Sequence, residues 1–429
     1  VNSRSRHELL REISLAGNCS HPVRLSGELV NLSTGEVGRR SIRVACKDRR
    51  AVVCAACSYL YKADAWILVA SGLSGGKGVP ASIAQHPRLF MTLTAPSFGR
   101  VHARRGDARC HPSAAGLCSH GNASTCSAQH DVTDPVLGTP LCRDCFDYRG
   151  AVFWNAQVSR LWNRTIEHVR RRIAMGQGLR PSQFSEIARL SYLKVAEFQH
   201  RGLIHLHVVL RADGPGDPFE TPANFLSAAA ISELLTETVA TFGIEGVGGS
   251  WIRWGQQFRI SDVSQQIQDD LRIASYLAKY STKTTDDTLW LARQFRSRRE
   301  IDQMNVNAHF KRLAATAWEL SFSRDLELLH LRRHAHAFGY TGQLITKSRS
   351  YSTTFHDLRD ARARHMSARN EGDPVAGTFV YEGRGYDDPR AAVVAELLHE
   401  AAVEVRKVER GVKSLSHGIS HGISHEGAE

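Results

Sequence analysis

The 429-residue sequence has no run of about 18 consecutive apolar residues, so no helix is expected to span a membrane. Its opening segment, Val1 to Arg11, is polar and charged and has no apolar stretch, so no secretory signal is expected and the reducing cytoplasm is the expected compartment. A phosphate loop is also missing. The one tempting stretch, Ser74-Gly-Gly-Lys-Gly-Val79, has Ser71 at the first glycine position and Gly78 after Lys77, which breaks the G-x4-G-K-[ST] pattern. Acidic residues are in deficit. There are 43 Asp and Glu against 55 Lys and Arg, a net charge of +12. Such a balance favours a polyanionic partner, nucleic acid first and an anionic membrane surface second. With 42% hydrophobic and 23% charged residues, collagen-like, fully disordered and disulfide-scaffold classes are excluded.

Cysteine is absent after Cys145. All nine cysteines lie in the N-terminal third, in two groups: Cys19, Cys46, Cys54 and Cys57, then Cys110, Cys118, Cys126, Cys142 and Cys145. In a reducing compartment, clustered cysteines read better as metal ligands than as disulfides. Cys54-x2-Cys57 supplies half of a tetrahedral zinc site, which Cys46 and Cys19 complete. For the second group the preferred set is Cys118, Cys126, Cys142 and Cys145, with Cys110, His120 and His130 as spare candidates. One or two structural Zn2+ ions are therefore expected; the alternative is buried apolar thiols.

Leu89 to Thr94 reads as a strand, Val152 to Ile173 as a helix, and Ser191 to Phe198 with Leu203 to Leu210 as two strands. Thr221 to Phe242 predicts a helix entered through Thr221-Pro222, Trp251 to Ile260 a strand, and Asp262 to Thr282 a helix. This strand-helix-strand-strand-helix-strand order is the ferredoxin-like plan with an added helix. The second cysteine group interrupts it.

The segment Val195-Ala-Glu-Phe-Gln-His-Arg-Gly-Leu-Ile-His-Leu-His-Val208 carries the most chemistry. Side chains alternate along a strand, so His205 and His207 share a face. A three-residue turn, His200-Arg201-Gly202, sets Glu197 opposite His205 and Val195 opposite His207. Two imidazoles and a carboxylate then converge, a donor set suited to Mn2+ or Mg2+ holding a phosphate, or to a transition metal. A solvated or hydrogen-bonded histidine pair is the plainer alternative.

On the following helix Tyr276, Lys279, Tyr280 and Lys283 fall at i, i+3, i+4, i+7 and share one face, opposite a core stripe of Ile267, Leu271, Ala274 and Ala278. A tyrosine oxygen can attack phosphorus and form a phosphotyrosine, and a nearby lysine can lower the phenol pKa or neutralise the phosphate. The plainer alternative is a solvated basic helix.

These motifs together resemble the HUH endonucleases, and among them the rolling-circle replication initiators. Phe90-Met-Thr-Leu-Thr94, Ile204-His-Leu-His207 and Tyr276-Leu-Ala-Lys279 stand in the order of that family's three motifs. The doubled Tyr276-x2-Lys279-Tyr280-x2-Lys283 is similar to the two-tyrosine initiators of single-stranded phages. Cys54-Ala-Ala-Cys57, Thr92-Leu-Thr-Ala-Pro-Ser-Phe-Gly99, Cys142-Arg-Asp-Cys145 and Thr346-Lys-Ser-Arg-Ser-Tyr-Ser-Thr-Thr354 extend the resemblance to initiators of actinomycete plasmids and integrative elements.

The resemblance implies an RRM-like α+β core and site-specific nicking of one strand at a plasmid origin. Glu197, His205 and His207 would hold the divalent metal. Tyr276 would be the nucleophile, Lys279 and Lys283 its charge partners, and Tyr280 a second acceptor. The DNA would be single-stranded or extruded at the nick, and strand separation would fall to a host helicase. Relaxase or transposase chemistry on other DNA, and a non-catalytic zinc-dependent DNA-binding regulator, are the rival readings.

The expected organisation is a Cys-rich zinc lobe over 1–84 and an HUH core over 85–285 with its Cys-rich insertion at 100–150. A mainly helical basic region over 286–412 and a disordered tail over 413–429 follow.

Overall fold

The computed structural model describes residues 3–112, 116–216, 219–264, 267–282, 294–369 and 375–422. The chain opens with α1 (Ser3–Leu15), β1 (Val23–Asn31), β2 (Val37–Val44), α2 (Ala55–Ser74) and β3 (Arg88–Leu93). There follow α3 (Tyr148–Gly176), α4 (Phe184–Ile187), β4 (Arg189–Phe198), β5 (Ile204–Asp213) and α5 (Ala228–Thr241). Three short strands, β6 (Gly243–Glu245), β7 (Trp251–Arg253) and β8 (Arg259–Asp262), lead into α6 (Ile267–Thr282). The remainder is α7 (Arg298–Asp302), α8 (Ala308–Leu320), α9 (Leu331–His334), β9 (Ile345–Lys347), α10 (Phe355–Arg369), β10 (Val375–Arg384) and α11 (Pro389–Gly422). The protein is thus α+β with antiparallel sheets.

The chain divides into two units, Val1–Asp64 with His356–Glu429, and Ala65–Phe355. In the first, β1 lies between β10 and β2 in an antiparallel three-stranded sheet. Gly27 is required there: a Cβ would stand 1.9 Å from the Thr378 carbonyl oxygen across the ladder. Ile13 of α1 packs with Ala391 and Ala395 of α11. The first region expected from sequence spans 1–84, whereas this unit ends inside α2 and recruits β10 and α11 from the far end of the chain. Helix α11 continues to Gly422, within the stretch expected to be a disordered tail; 423–429 lie outside the described residues.

The second unit is built on one antiparallel sheet of order β8-β3-β5-β4-β9. Leu89, Met91, Leu93, Ala196, Leu206, Val208 and Leu210 point from one face into a core shared with Trp154, Leu161 and Trp162 of α3, Leu235 of α5 and Leu313 of α8. That helix–sheet packing is the hydrophobic work that defines the unit. The opposite face carries Arg88, Phe90 and Thr92 of β3, Glu197 of β4, and His205, His207 and Arg211 of β5, by the parity of the pairings.

Two local expectations are corrected. The strand predicted over 251–260 is broken: β7 pairs with β6, and only β8 joins the sheet, beside β3. The break falls at Gly255, whose N–H bonds the Thr94 carbonyl at 2.8 Å and whose Cβ would lie 2.4 Å from the Ala95 oxygen. Helix α5 starts after Ser227, whose side chain accepts from the Ala230 N–H, rather than at Thr221-Pro222. A serine satisfying an orphan N–H outcompetes a proline that supplies no side-chain acceptor.

Candidate active site

The β4–β5 turn closes with Gly202 at φ 73°, a left-handed conformation suited to glycine, and with Gly202 N–H donating to the Gln199 carbonyl at 2.8 Å. The ladder then pairs Glu197 with His205 and Val195 with His207, as that turn predicts. One ligand atom from each of Glu197, His205 and His207 lies within 4.8 Å of the other two. His207 Nε2 is 3.2 Å from Glu197 Oε2, and the two imidazoles stack with centroids 4.6 Å apart.

Neighbours orient both rings. Thr92 Oγ1 stands 3.4 Å from His207 Nδ1, and Gln199 Nε2 stands 3.0 Å from His205 Nδ1. Arg201 Nε donates to Gln199 Oε1 at 2.9 Å and fixes that amide. His205 Nε2 is buried without a hydrogen-bond partner. Burial, helped by the charges of His207 and Arg201 against the opposing pull of Glu197, pushes the His205 pKa down to about 4, so its imidazole is neutral near pH 7. An unpartnered buried nitrogen beside a carboxylate and a second imidazole is a donor set that fits a divalent cation.

Helix α6 lies over this face. The Tyr276 ring meets His207 edge-on at 5.2 Å between centroids and Phe90 at 6.0 Å; Tyr280 is 5.0 Å from His207 and 4.5 Å from Tyr276. Tyr276 remains 40% exposed, whereas His207 is only 2% exposed, so a phosphate has an approach from solvent. Burial raises the Tyr276 pKa, as do its hydrogen bond with Tyr280 and the charge of Glu197. A cation at the carboxylate would reverse that last contribution. Lys279 is exposed, and Lys283 lies outside the described residues. The expected core stripe of α6 is rotated. Ile273, Ala274, Leu277 and Ala278 are buried and Leu271 is 47% exposed, because the helix turns its tyrosines towards the histidines.

The cysteines also regroup. Cys19, Cys46, Cys54 and Cys57 come together. Cys126, expected with Cys118, Cys142 and Cys145, stands instead with His102, Cys110 and His130, and His120 takes its place beside the other three. The reason is a hairpin: Cys126 pairs across to His111, next to Cys110, while Cys118 sits near the tip.

Thr92, Gln199 and His102 are not among the site residues expected from sequence. Gln199 shares strand parity with Glu197 and was legible; Thr92 needed the long-range β3–β5 pairing, and His102 the hairpin.

The chain matches the family described as RepSA, replication initiator protein, pSAM2, over residues 5–400. A curated replication initiator protein of Streptomyces ambofaciens is 33% identical over 420 residues, covering 90% of this chain and 86% of that protein. The chain therefore belongs to the RepSA family of replication initiators. No solved structure matches it.

Proposed function

We propose that this replication initiator is an HUH-type nicking enzyme acting on one strand of a plasmid origin by rolling-circle chemistry. The observation that carries the reading is the convergence of Glu197, His205 and His207 on one sheet face directly under Tyr276. The connectivity β3-α3-β4-β5-α5-β8 with order β8-β3-β5-β4 agrees with a ferredoxin-like, RRM-like core.

Glu197, His205 and His207 would hold Mg2+ or Mn2+, which supplies charge neutralisation and alignment for a scissile phosphate. Tyr276 Oη forms the new bond to phosphorus and the bond from phosphorus to the 3′ oxygen breaks. The phenol loses its proton and the departing 3′ oxygen gains one. The products are a 5′-phosphotyrosine and a free 3′ hydroxyl that primes synthesis. Tyr280, in ring contact with Tyr276, would accept the second transfer. Lys279 is one of the cations available to the backbone, together with the +12 net charge that favours origin DNA and makes binding salt-dependent. Single-stranded or extruded DNA would bring its phosphate to the half-exposed Tyr276 above the buried His207. With no phosphate loop at 71–78, strand separation is assigned to a host helicase. Cys19, Cys46, Cys54 and Cys57 form a closed thiolate set for a structural Zn2+.

The test is incubation with single-stranded candidate origin oligonucleotides and Mn2+, followed by mass mapping of the nucleotide-bearing residue. An adduct on Tyr276 is expected. Cleavage of transfer-site DNA in preference to origin DNA would favour a relaxase or transposase. Absence of any nick would leave a zinc-dependent DNA-binding regulator.

A further inference from the structure

Among its described residues, the segment between β3 and α3 has almost no hydrophobic core of its own. Leu117 is 69% exposed and Val132 62% exposed, and the pairings within it are isolated bridges rather than strands. A segment this poor in buried apolar surface needs another source of folding free energy. Its Cys and His residues supply a candidate. They form two separate groups of four, each with ligand atoms within 4.8 Å of one another.

We propose that this segment is a two-zinc module with interleaved ligands: His102, Cys110, Cys126 and His130 hold one Zn2+, and Cys118, His120, Cys142 and Cys145 hold a second. Ligand pairs one and three along the chain serve the first ion, and pairs two and four the second. The hairpin explains the crossing. Its base brings Cys110 beside Cys126 through the bridge of His111 with Cys126, and its tip, closed by Cys118 N–H to the Asn122 carbonyl at 2.8 Å, carries Cys118 and His120 away to Cys142-x2-Cys145.

The shorter ligand distances match tetrahedra, and Cys142 Sγ to His120 Nδ1, at 4.0 Å, is slightly long. Zinc bonds of about 2.3 Å to sulfur and about 2.0 Å to nitrogen put neighbouring ligand atoms roughly 3.3–3.8 Å apart. His102 Nδ1 is 3.2 Å from His130 Nε2, Cys126 Sγ is 3.4 Å from His130 Nε2, and His120 Nδ1 is 3.3 Å from Cys145 Sγ. Outer partners are in place as well. His130 turns its other nitrogen to Asp134 Oδ2 at 2.7 Å, the carboxylate–histidine arrangement that orients zinc ligands. Ala103 N–H donates to Cys110 Sγ at 3.2 Å, and Asn122 Nδ2 to Cys142 Sγ at 3.2 Å. With Cys19, Cys46, Cys54 and Cys57 in a third group, every one of the nine cysteines is a ligand.

The module abuts the active-site turn. A Cβ on Gly138 would lie 2.2 Å from the His200 carbonyl carbon, and Arg201 donates to the Pro96 and Ala95 carbonyls at 3.0 Å each. Zinc would therefore stiffen the turn between Glu197 and His205.

The experiment is metal counting by native mass spectrometry on the full chain, with zinc X-ray absorption on the same unaltered protein. Three zinc ions per chain are expected, with an average first shell of about three sulfurs and one nitrogen. Cys126→Ser and Cys142→Ser should each lose one ion, and the double variant two. Two ions in the unaltered chain, an all-sulfur shell, or a double variant that loses only one ion would overturn the interleaved assignment. If a single variant sheds both module ions by unfolding, the count and first shell of the unaltered protein decide.

Discussion

Arg88 Nη1 lies 2.5 Å from Asp270 Oδ2 with both side chains sealed from solvent, which ties strand β3 to the first turn of the helix that carries Tyr276. Ser74 Oγ donates to the same carboxylate oxygen at 2.8 Å, and Arg88 also donates to the Leu73 carbonyl at 2.9 Å. Six residues of helix span about 9 Å, so this clamp fixes where Tyr276 meets the histidine face. A second buried set, Arg211 with Asp213 and His86, lies on the same sheet face.

Asp270→Asn should leave the Arg88 guanidinium buried without a charge partner. A loss of about 3 kcal/mol is expected for breaking such a pair. Urea unfolding checks the loss, and a change below about 1 kcal/mol would show that the clamp is not structural.

Under the proposed function, Tyr276→Phe should abolish the covalent DNA adduct while duplex binding stays within a few fold, because the phenol oxygen would be the nucleophile but would contribute little binding surface. Denaturing gels with labelled oligonucleotide measure the adduct, and a filter-binding titration measures affinity. An adduct that survives in this variant moves the nucleophile to Tyr280.

Under the proposed function, His205→Ala, His207→Ala and Glu197→Ala should each remove metal-dependent cleavage and weaken Mn2+ binding at least tenfold, since each would delete one of the three proposed ligands. Electron paramagnetic resonance of free Mn2+ reads the affinity directly. Undiminished Mn2+ binding in all three variants would place the ion elsewhere.

His309 is buried between the Tyr148 hydroxyl and the Arg201 carbonyl, 3.1 Å from each. Burial, despite the Arg201 carbonyl, lowers its pKa from 6.5 to about 4. The unfolded chain therefore takes up a proton that the folded chain refuses between those values. Stability from this group is intact above pH 6.5 and falls as pH drops towards 4, by at most about 1.4 kcal/mol per unit. His309→Gln should flatten that loss relative to the parent when urea midpoints are compared at pH 7 and pH 5. Equal acid sensitivity of the two proteins would remove His309 from the account.

Local pattern made the hairpin legible. Alternation put His205 and His207 on one face, and a turn ending in glycine fixed the register that faces Glu197 with His205. Helices α3 and α6 were readable from apolar spacing. The rotation of α6 was not, because tyrosine is amphipathic and its burial depends on what the opposing sheet offers. The pairing of β10 with β1 joins residues more than 300 positions apart, β1 is half-buried along most of its length and β2 is mostly exposed, so neither strand shows the apolar alternation that makes a strand legible.

The order of residues alone determined which side chains are the candidates for chemistry: a carboxylate and two imidazoles matched in strand parity, a tyrosine helix, and nine cysteines confined to one third of the chain. Tertiary structure decided their partners. Thr92 reached His207 through a ladder with a distant strand, Tyr276 met it through the packing of α6, and Cys126 left its expected set for His102 and His130. Strand parity and turn geometry act over a few residues and are written locally, whereas ligand grouping depends on which distant segments the core and the hairpin bring within a few ångströms.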